Sequence, residues 1–114
     1  MKYMMLLTQA EWVNSGPEDV RQRHYADIGE WWGKLAGEGK IVEGHQLQGP
    51  ETATTVVLNG RGETTVHDGP FMEAKETIGG YGVLDVADLD EALAIARSFP
   101  APSCKVEVRP VVER

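Results

Sequence analysis

The sequence predicts an α+β fold in which two helices cover one face of an antiparallel sheet. Two stretches with helical periodicity, at residues 17–36 and from residue 88 onward, each follow a helix-capping pattern. Runs rich in apolar or β-branched residues stand before, between and after these stretches, and the final run alternates with a period of two. The resulting order of strand, helix, strands, strand, helix, strand is typical of a split βαβ sheet.

The first strand and the first helix lie at the start of the chain. The apolar run at residues 2–8 predicts a strand. A helix start follows, because Ser15 can cap, Pro17 suits the first turn and Glu18 completes a capping box. We therefore expect a helix at residues 17–36.

The first helix is expected to end at Gly37 and Gly39, since glycine is favoured just after a helix. Its apolar stripe consists of Val20, His24, Ile28, Trp31 or Trp32, and Leu35. His24 therefore lies on the side of the helix that faces the sheet.

The middle of the chain contains a hairpin. Strands are predicted at residues 40–47, 53–58, 63–67 and 78–86. The turn between the second and third of these is Asn59-Gly60-Arg61-Gly62, and Asn-Gly tolerates positive φ at both positions.

The second helix opens at Asp88-Leu89-Asp90-Glu91 through another capping box. Its predicted apolar face consists of Leu89, Ala92, Leu93, Ala96 and Phe99. Pro100 and Pro102 stop it, and residues 105–112 form an alternating last strand with Val106, Val108 and Pro110 on one face.

This order predicts a single domain over residues 1–114, with a ferredoxin-like sheet and both helices on one face. The other face of the sheet must be polar, covered by a ligand or paired with a second copy. Because Val and Ile occur on several strands, we expect a homodimer that closes sheet against sheet.

The composition excludes several classes of function. A formal charge of −7 disfavours binding to nucleic acid or to an anionic membrane surface. The N-terminal apolar run is too short for a signal peptide, and no apolar stretch approaches the length of a membrane span. The single cysteine, Cys104, cannot form an internal disulfide and is expected to be a small buried residue. We therefore expect a cytoplasmic protein.

The densest cluster of ionisable residues is the segment from Asp68 to Tyr81. Three carboxylates and a lysine follow one another there, between a Gly-Pro turn and the pair Gly79-Gly80. Shape-fixing residues beside ionisable ones are what a binding or catalytic site needs, and also what an ordinary turn contains.

Cofactor and metal sites have no support in the sequence. The spacing of His24, His45 and His67 matches no compact metal-binding motif. No glycine-rich nucleotide-binding pattern occurs, so neither a metal nor another cofactor is expected.

The chain resembles the DGPF branch of the YciI-like (YCII-related) family. The resemblance is carried by Asp68-Gly69-Pro70-Phe71 with Glu73, Lys75, Glu76 and Gly79-Gly80-Tyr81, by Asp88-x-Asp90-Glu91-Ala92, and by Val106-Glu107-Val108-Arg109-Pro110. It implies a dimeric α/β-barrel version of the ferredoxin-like fold. Relatives include a dehydrochlorinase acting on a chlorinated hydroxyquinol, which uses a His–Asp pair in a cleft beside the sheet, and some DGPF domains occur near or fused to sigma-factor-like regulators.

This resemblance assigns two candidate catalytic residues. Asp68 matches the motif aspartate, while the family histidine position falls at Ile28, one helical turn after His24. In the functional interpretation, His24 is a general base oriented by Asp68. In the structural alternative, His24 is a core or interface residue, and Asp68 caps its own turn.

The candidate ligand-binding residues surround this pair. Trp31 and Trp32 point about 100° apart, so one is expected in the core and the other at a pocket or a dimer contact. Tyr81 is expected in the pocket wall. Glu73 and Lys75 either form a solvated surface or lie at the cleft mouth, where Lys75 would neutralise an anionic substrate and Glu73 would pair with Arg109.

Two functions from different classes fit these residues. The first is a cofactor-independent enzyme that uses His24 and Asp68 on a small aromatic or carbonyl compound. The second is a non-catalytic ligand-sensing or dimerisation module that acts on a protein partner such as a transcription regulator. The two hypotheses differ on whether His24 and Asp68 are within hydrogen-bond reach of each other.

Overall fold

We describe the protein from a computed structural model, which covers residues 1–69 and 77–114. Its strands are β1 (Lys2–Thr8), β2 (Ile41–Gln46), β3 (Thr54–Leu58), β4 (Thr64–Asp68), β5 (Ile78–Asp85) and β6 (Val106–Pro110). Its helices are α1 (Glu18–Gly37) and α2 (Leu89–Arg97), with short 3-10 turns at Glu11–Val13 and Pro50–Thr52. Each of these strands and helices lies within about two residues of a predicted one.

The main sheet has four antiparallel strands in the order β2-β5-β1-β6. α1 connects β1 to the edge strand β2, and α2 connects β5 to the other edge strand, β6. This is the strand order of a split βαβ sheet, so the predicted ferredoxin-like α+β class is confirmed.

The core lies between the helices and one face of this sheet. Tyr3, Met5 and Leu7 alternate along β1 and are buried, as two-residue periodicity requires. They pack with Leu35 of α1, Leu84 and Val86 at the end of β5, and Ala92 and Ile95 of α2. Because residues of both helices belong to this one cluster, both helices cover the same face. No helix in the described part of the chain is long and apolar enough to cross a membrane.

The two helices begin differently. Asp88 caps α2 as predicted: its Oδ1 accepts a hydrogen bond from the Glu91 amide (2.9 Å), and Glu91 Oε1 accepts one from the Ala87 amide (3.1 Å). The cap predicted for Ser15 is wrong. Its hydroxyl donates to the Glu11 carbonyl oxygen (2.7 Å) instead, and Pro17, which has no N–H and lacks a capping side chain, precedes α1.

Two residues predicted to lie on apolar helix faces are exposed. Val20 in α1 and Leu89 in α2 both stand in the first turn of their helices. Ile95 takes the buried position on α2, together with Ala92. His24 is half-buried, in agreement with its predicted position on the sheet-facing stripe.

β3 and β4 form a separate two-stranded sheet, which we call the arm (Thr54–Asp68). The predicted hairpin turn is present, and the Asn59 amide donates to the Glu63 carbonyl oxygen (3.3 Å). Positive φ angles occur at Gly60 and Gly62. Asn59 does not use the positive φ that it tolerates: its Oδ1 accepts a hydrogen bond from the Arg61 amide (2.9 Å) and closes the turn with its side chain.

The face of the main sheet away from the helices carries no described helix or strand, and we call it the open face. Register places Met4 opposite Val83 and Leu6 opposite Tyr81 at its centre. The edge strands add charged residues, and in β6 the Arg109 guanidinium donates to the Glu107 carboxylate at 2.6 Å. The open face is therefore apolar at its centre and charged at its margin.

Candidate functional site

A cavity of about 550 Å³ lies between α1 and the end of the sheet where β1 and β2 finish and β5 begins. Trp12, Tyr25, Ile28 and Trp32 supply much of its wall. A volume in this range suits a small molecule, and aromatic and aliphatic walls are typical of such sites.

Four glycines line the cavity, and the two in α1 leave empty space where a side chain would stand. Gly29 and Gly33 stand one turn apart on α1 and line the cavity, and a Cβ atom at either would meet no atom within 4 Å. Gly79 and Gly80 line the sheet side at the start of β5. The cavity therefore has two walls that are short of side chains, with large rings at its ends.

Trp32 fixes the separation between α1 and the sheet. Its ring lies against Gly44 of β2 and Gly82 of β5, at 3.2 Å from where a Gly82 Cβ would stand. A Cβ on Gly44 would collide with this ring and with the Tyr81 carbonyl oxygen. β2 therefore needs glycine at position 44, and a side chain at Gly82 would be tightly packed against the indole and Met5.

Trp12 closes the cavity at the N-terminal end of α1. It belongs to the 3-10 turn Glu11–Val13, and its indole N–H donates to the Pro102 carbonyl oxygen at 2.9 Å. Its ring also contacts Tyr25, with centroids 5.2 Å apart and nearly perpendicular planes. This turn is anchored to both α1 and the segment before β6.

The described lining contains no Asp, Glu, Lys or Arg. Its polar groups include the side chains of Thr8, Gln9 and Gln46, and the Gln46 amide donates to the Tyr25 hydroxyl at 3.3 Å. Cys104 also lines the cavity, and burial raises the pKa of its thiol above the ordinary value. The cavity therefore offers neutral hydrogen-bonding groups on an apolar surface.

His24 and Asp68 occupy different parts of the structure. The His24 ring packs on Trp12 at a centroid distance of 4.7 Å, and His24 is not part of the described cavity lining. Asp68 ends β4 in the arm, opposite Thr54, and is exposed. No hydrogen bond or ion pair joins the two side chains over residues 1–69 and 77–114.

The turn after Asp68 is held by the backbone of Gly69. The Gly69 amide donates to the Ala53 carbonyl oxygen, and the Thr55 hydroxyl donates to the Gly69 carbonyl oxygen, both at 2.7 Å. Gly69 has a φ of 104°, which favours glycine.

The two adjacent tryptophans face different surroundings, as their 100° separation on a helix requires. Trp32 lines the cavity, whereas Trp31 lies outside it. The Trp31 indole N–H donates to Ser98 Oγ (2.7 Å), and its ring meets Phe99 edge to face at 5.3 Å. Trp31 thus joins α1 to the end of α2.

Tyr81 contributes to the cavity and to the open face. It lines the cavity at the start of β5, but strand alternation directs its ring to the open face, beside Leu6. There its hydroxyl donates to Glu43 Oε1 at 3.3 Å, and its ring lies 6.0 Å from that of His45. Desolvation, and then the charge and hydrogen bond of Glu43, raise the pKa of Tyr81.

Glu73 and Lys75 lie outside the described residues. In the described residues, no three His, Cys, Asp or Glu side chains lie close enough together to hold a metal ion.

Sequence reasoning missed Trp12, Tyr25 and the glycine pair Gly29 and Gly33. A signal for the glycines was present, because glycine inside a helix usually has a packing or functional reason. Trp12 offered no periodicity, since it stands alone in the short segment between β1 and α1.

Comparison with known proteins gives two matches. The model of a family described as the YCII-related domain matches residues 1–114. An uncharacterised protein of Rhizobium meliloti (strain 1021) is 37% identical over 115 aligned residues, which cover 97% of this chain and 92% of that protein.

Proposed function

We propose that this chain, which belongs to the YCII-related domain family, binds a flat, uncharged and largely apolar small molecule in the cavity beside α1. The observation that carries the proposal is the cavity of about 550 Å³, walled by Trp12, Tyr25 and Trp32. Aromatic rings bury much surface at a modest entropy cost and stack on flat ligands.

The chemistry of the lining limits the ligand class. A charged ligand would lose hydration without gaining an opposite charge, because the described lining contains no Asp, Glu, Lys or Arg, and the ring of its one histidine, His45, lies beside Tyr81 on the open face. A hydroxyl or carbonyl group could instead bond to the Tyr25 hydroxyl or the Gln46 amide, which already form a pair. Phenols, naphthols and aromatic ketones meet both conditions.

Binding without catalysis is the better supported function of a single chain. A general base must lie within about 2.6–3.2 Å of the proton it takes, or one water away. His24 is not part of the described lining, and Asp68 lies in the arm. His45 belongs to the lining, but its register opposite Tyr81 directs its ring to the open face, 6.0 Å from the Tyr81 ring. Cys104 does line the cavity, but its raised pKa keeps it as a thiol, which is a poor nucleophile.

One observation favours the alternative, a cofactor-independent enzyme acting on small aromatic or carbonyl compounds. His24 packs on Trp12, a wall residue of the cavity, with ring centroids 4.7 Å apart, so the imidazole is in contact with the cavity wall. Turnover of a bound phenol or ketone, lost in His24→Gln, would establish this alternative.

We further propose that the protein is a cytoplasmic homodimer. The open face supports this proposal, because Met4, Leu6 and Val83 form an apolar centre with no described helix or strand over it. A ligand-binding homodimer is also a suitable sensing module for a protein partner such as a transcription regulator. The single cysteine suits a reducing compartment.

The ligand proposal can be tested with 2-naphthol by NMR. The three tryptophans give three indole N–H resonances, of which those of Trp12 and Trp32 report on the cavity, and that of Trp31 is an internal control. We expect saturable shifts for Trp12 and Trp32 and a smaller effect on Trp31. Equal shifts at all three, or no saturable shift, would contradict binding in the cavity.

A further inference from the structure

The arm has two different surfaces. Facing residues in an antiparallel pair share a side of the hairpin, and the register pairs Val56 with Val66 and Leu58 with Thr64. The side that carries these residues, which we call the apolar side, also contains Thr54 and Asp68 at its base. The opposite side carries Thr55, Val57, Thr65 and His67.

The apolar side is open to solvent in the single chain. Val56 is 54% exposed, Val66 63% and Leu58 75%. The hydrogen bonds of the arm in the described structure join its own strands and turn, apart from the bond between Thr55 and Gly69 next to it. The arm therefore makes no hydrogen bond to the main sheet in the described residues.

A hairpin of this size needs support from another surface. Two strands alone are at best marginally stable in water, and stability requires a further strand or a hydrophobic surface to pack on. Burying three exposed aliphatic side chains would supply it, at about 25 cal/mol for each Å² of apolar area removed from water.

The accessible surface of the single chain is larger than that of a compact protein of its mass, as expected for a chain that buries part of its surface against a partner. Its accessible surface is 8132 Å², whereas a compact protein of this mass exposes roughly 6,200 Å². The radius of gyration is 16.2 Å, against about 13 Å for a compact domain of this length. The excess of about 2,000 Å² is larger than the ~800 Å² that each partner buries in a standard interface.

We propose that the arm packs its apolar side against the open face of a second copy of this chain. This proposal rests on the proposed homodimer and names the segment that builds it. The open face is the matching surface because its centre of Met4, Leu6 and Val83 is apolar. Apart from Asp68 at its base, the apolar side carries no charge, so two copies of charge −7 meet through uncharged groups.

The oligomeric state of two single-residue variants tests the proposal. Val66→Asp places a charge on the apolar side, and Thr65→Asp places the same charge one residue away on the opposite side. By light scattering coupled to gel filtration, we expect wild type and Thr65→Asp at about twice the chain mass of 12.5 kDa. Val66→Asp is expected at the mass of one chain, with the circular dichroism of the helices unchanged.

The outcomes separate this proposal from the homodimer itself. A monomeric wild type would overturn both. A dimeric wild type together with a dimeric, folded Val66→Asp would overturn the role of the arm and leave the homodimer intact. A monomeric Thr65→Asp would overturn the assignment of the contact to the apolar side.

A second experiment tests whether the open face is the surface that the arm contacts, and it leaves the apolar side unchanged. A spin label on Thr65→Cys, in a Cys104→Ser background, is mixed with an unlabelled, ¹⁵N-enriched chain. We expect the label to broaden amide resonances of Met4, Leu6 and Val83 in the enriched chain. Broadening confined to amide resonances of α1 or α2 would show that the arm does not contact the open face, and would overturn the proposal.

Discussion

Trp12 and His24 are in ring contact, with centroids 4.7 Å apart and planes inclined by 48°. The Trp12 indole lines the cavity, whereas His24 is not part of the described lining, and the indole N–H is anchored to the Pro102 carbonyl oxygen. The histidine that a His–Asp mechanism would use as its base is therefore supported by an aromatic ring. This contact decides which substitutions should affect His24.

Asp68→Asn is expected to leave the imidazole resonances of His24 unchanged, because the described structure contains no bond between the two side chains. Trp12→Ala should shift them, since it removes the neighbouring ring current. Carbon–proton correlation spectra of both variants provide the measurement. A His24 shift in Asp68→Asn as large as that in Trp12→Ala would restore the His–Asp pair.

Alanine at Gly29 and Gly33 should raise stability and weaken ligand binding at the same time. Each substitution removes a helix-interior glycine at a position with free space, which favours folding by roughly 1 kcal/mol. Each new methyl group also takes space at the cavity, and we expect the double variant to bind 2-naphthol about tenfold more weakly, a loss of ~1.4 kcal/mol.

Gly37→Ala is the matched control for these two substitutions. Gly37 ends α1, has equally free space around its missing Cβ, and is not part of the described cavity lining. It should leave the affinity for 2-naphthol unchanged. Urea unfolding and the tryptophan NMR titration measure the two effects, and unchanged affinity in the double variant would contradict a ligand at the α1 wall.

Cys104 should report on cavity occupancy. Burial raises the pKa of its thiol, so alkylation by iodoacetamide should be slower at neutral pH than for a free cysteine and should accelerate as pH rises. Saturating 2-naphthol should slow the reaction several-fold, because Cys104 lines the cavity. The rate in urea-unfolded protein is the control, and no protection in the folded protein would argue against a ligand near this residue.

Much of the fold could be predicted because it depends on local patterns. An apolar run located β1, two-residue alternation located β6, and the Asp88 capping box located the start of α2. The hairpin was also predicted, but the same alternation does not tell which sheet a strand joins. The separation of the arm from the main sheet therefore had to come from three-dimensional structure.

The candidate site was less predictable than the fold. A cavity forms where side chains leave a volume unfilled, and a sequence pattern shows which side chains are present but not which volume they leave empty. One of Trp31 and Trp32 was expected at a pocket or a dimer contact, and the sequence could not tell which; Trp32 lines the cavity and Trp31 does not. Tyr81 was expected in the pocket wall and lines the cavity, although its ring turns to the open face. Trp12 was missed since its role depends on the distant Pro102 carbonyl. Asp68 was placed beside His24 by motif alone, whereas β4 carries it into the arm.

The pKa of Tyr81 predicts how stability changes in alkaline solution. Desolvation, and then Glu43, raise this pKa above the value of about 10 in the unfolded chain, so the unfolded state loses its phenolic proton first. The neutral phenol therefore contributes stability below about pH 10, and this contribution is lost as pH rises through the folded-state value. Unfolding free energy should fall over that interval, and by less in Tyr81→Phe.

Glu43→Gln separates the two causes. It removes the carboxylate charge and its hydrogen bond but leaves the desolvation of Tyr81, so the pKa should fall only part of the way to its ordinary value. Phenolate absorbance at alkaline pH measures the titration, with Tyr81→Phe identifying the contribution of this residue among the three tyrosines.

If the open face is covered by a second copy, Tyr81 should titrate at higher pH in the dimer than in monomeric Val66→Asp, because the interface adds desolvation. Equal titration in the two proteins would place Tyr81 outside the contact.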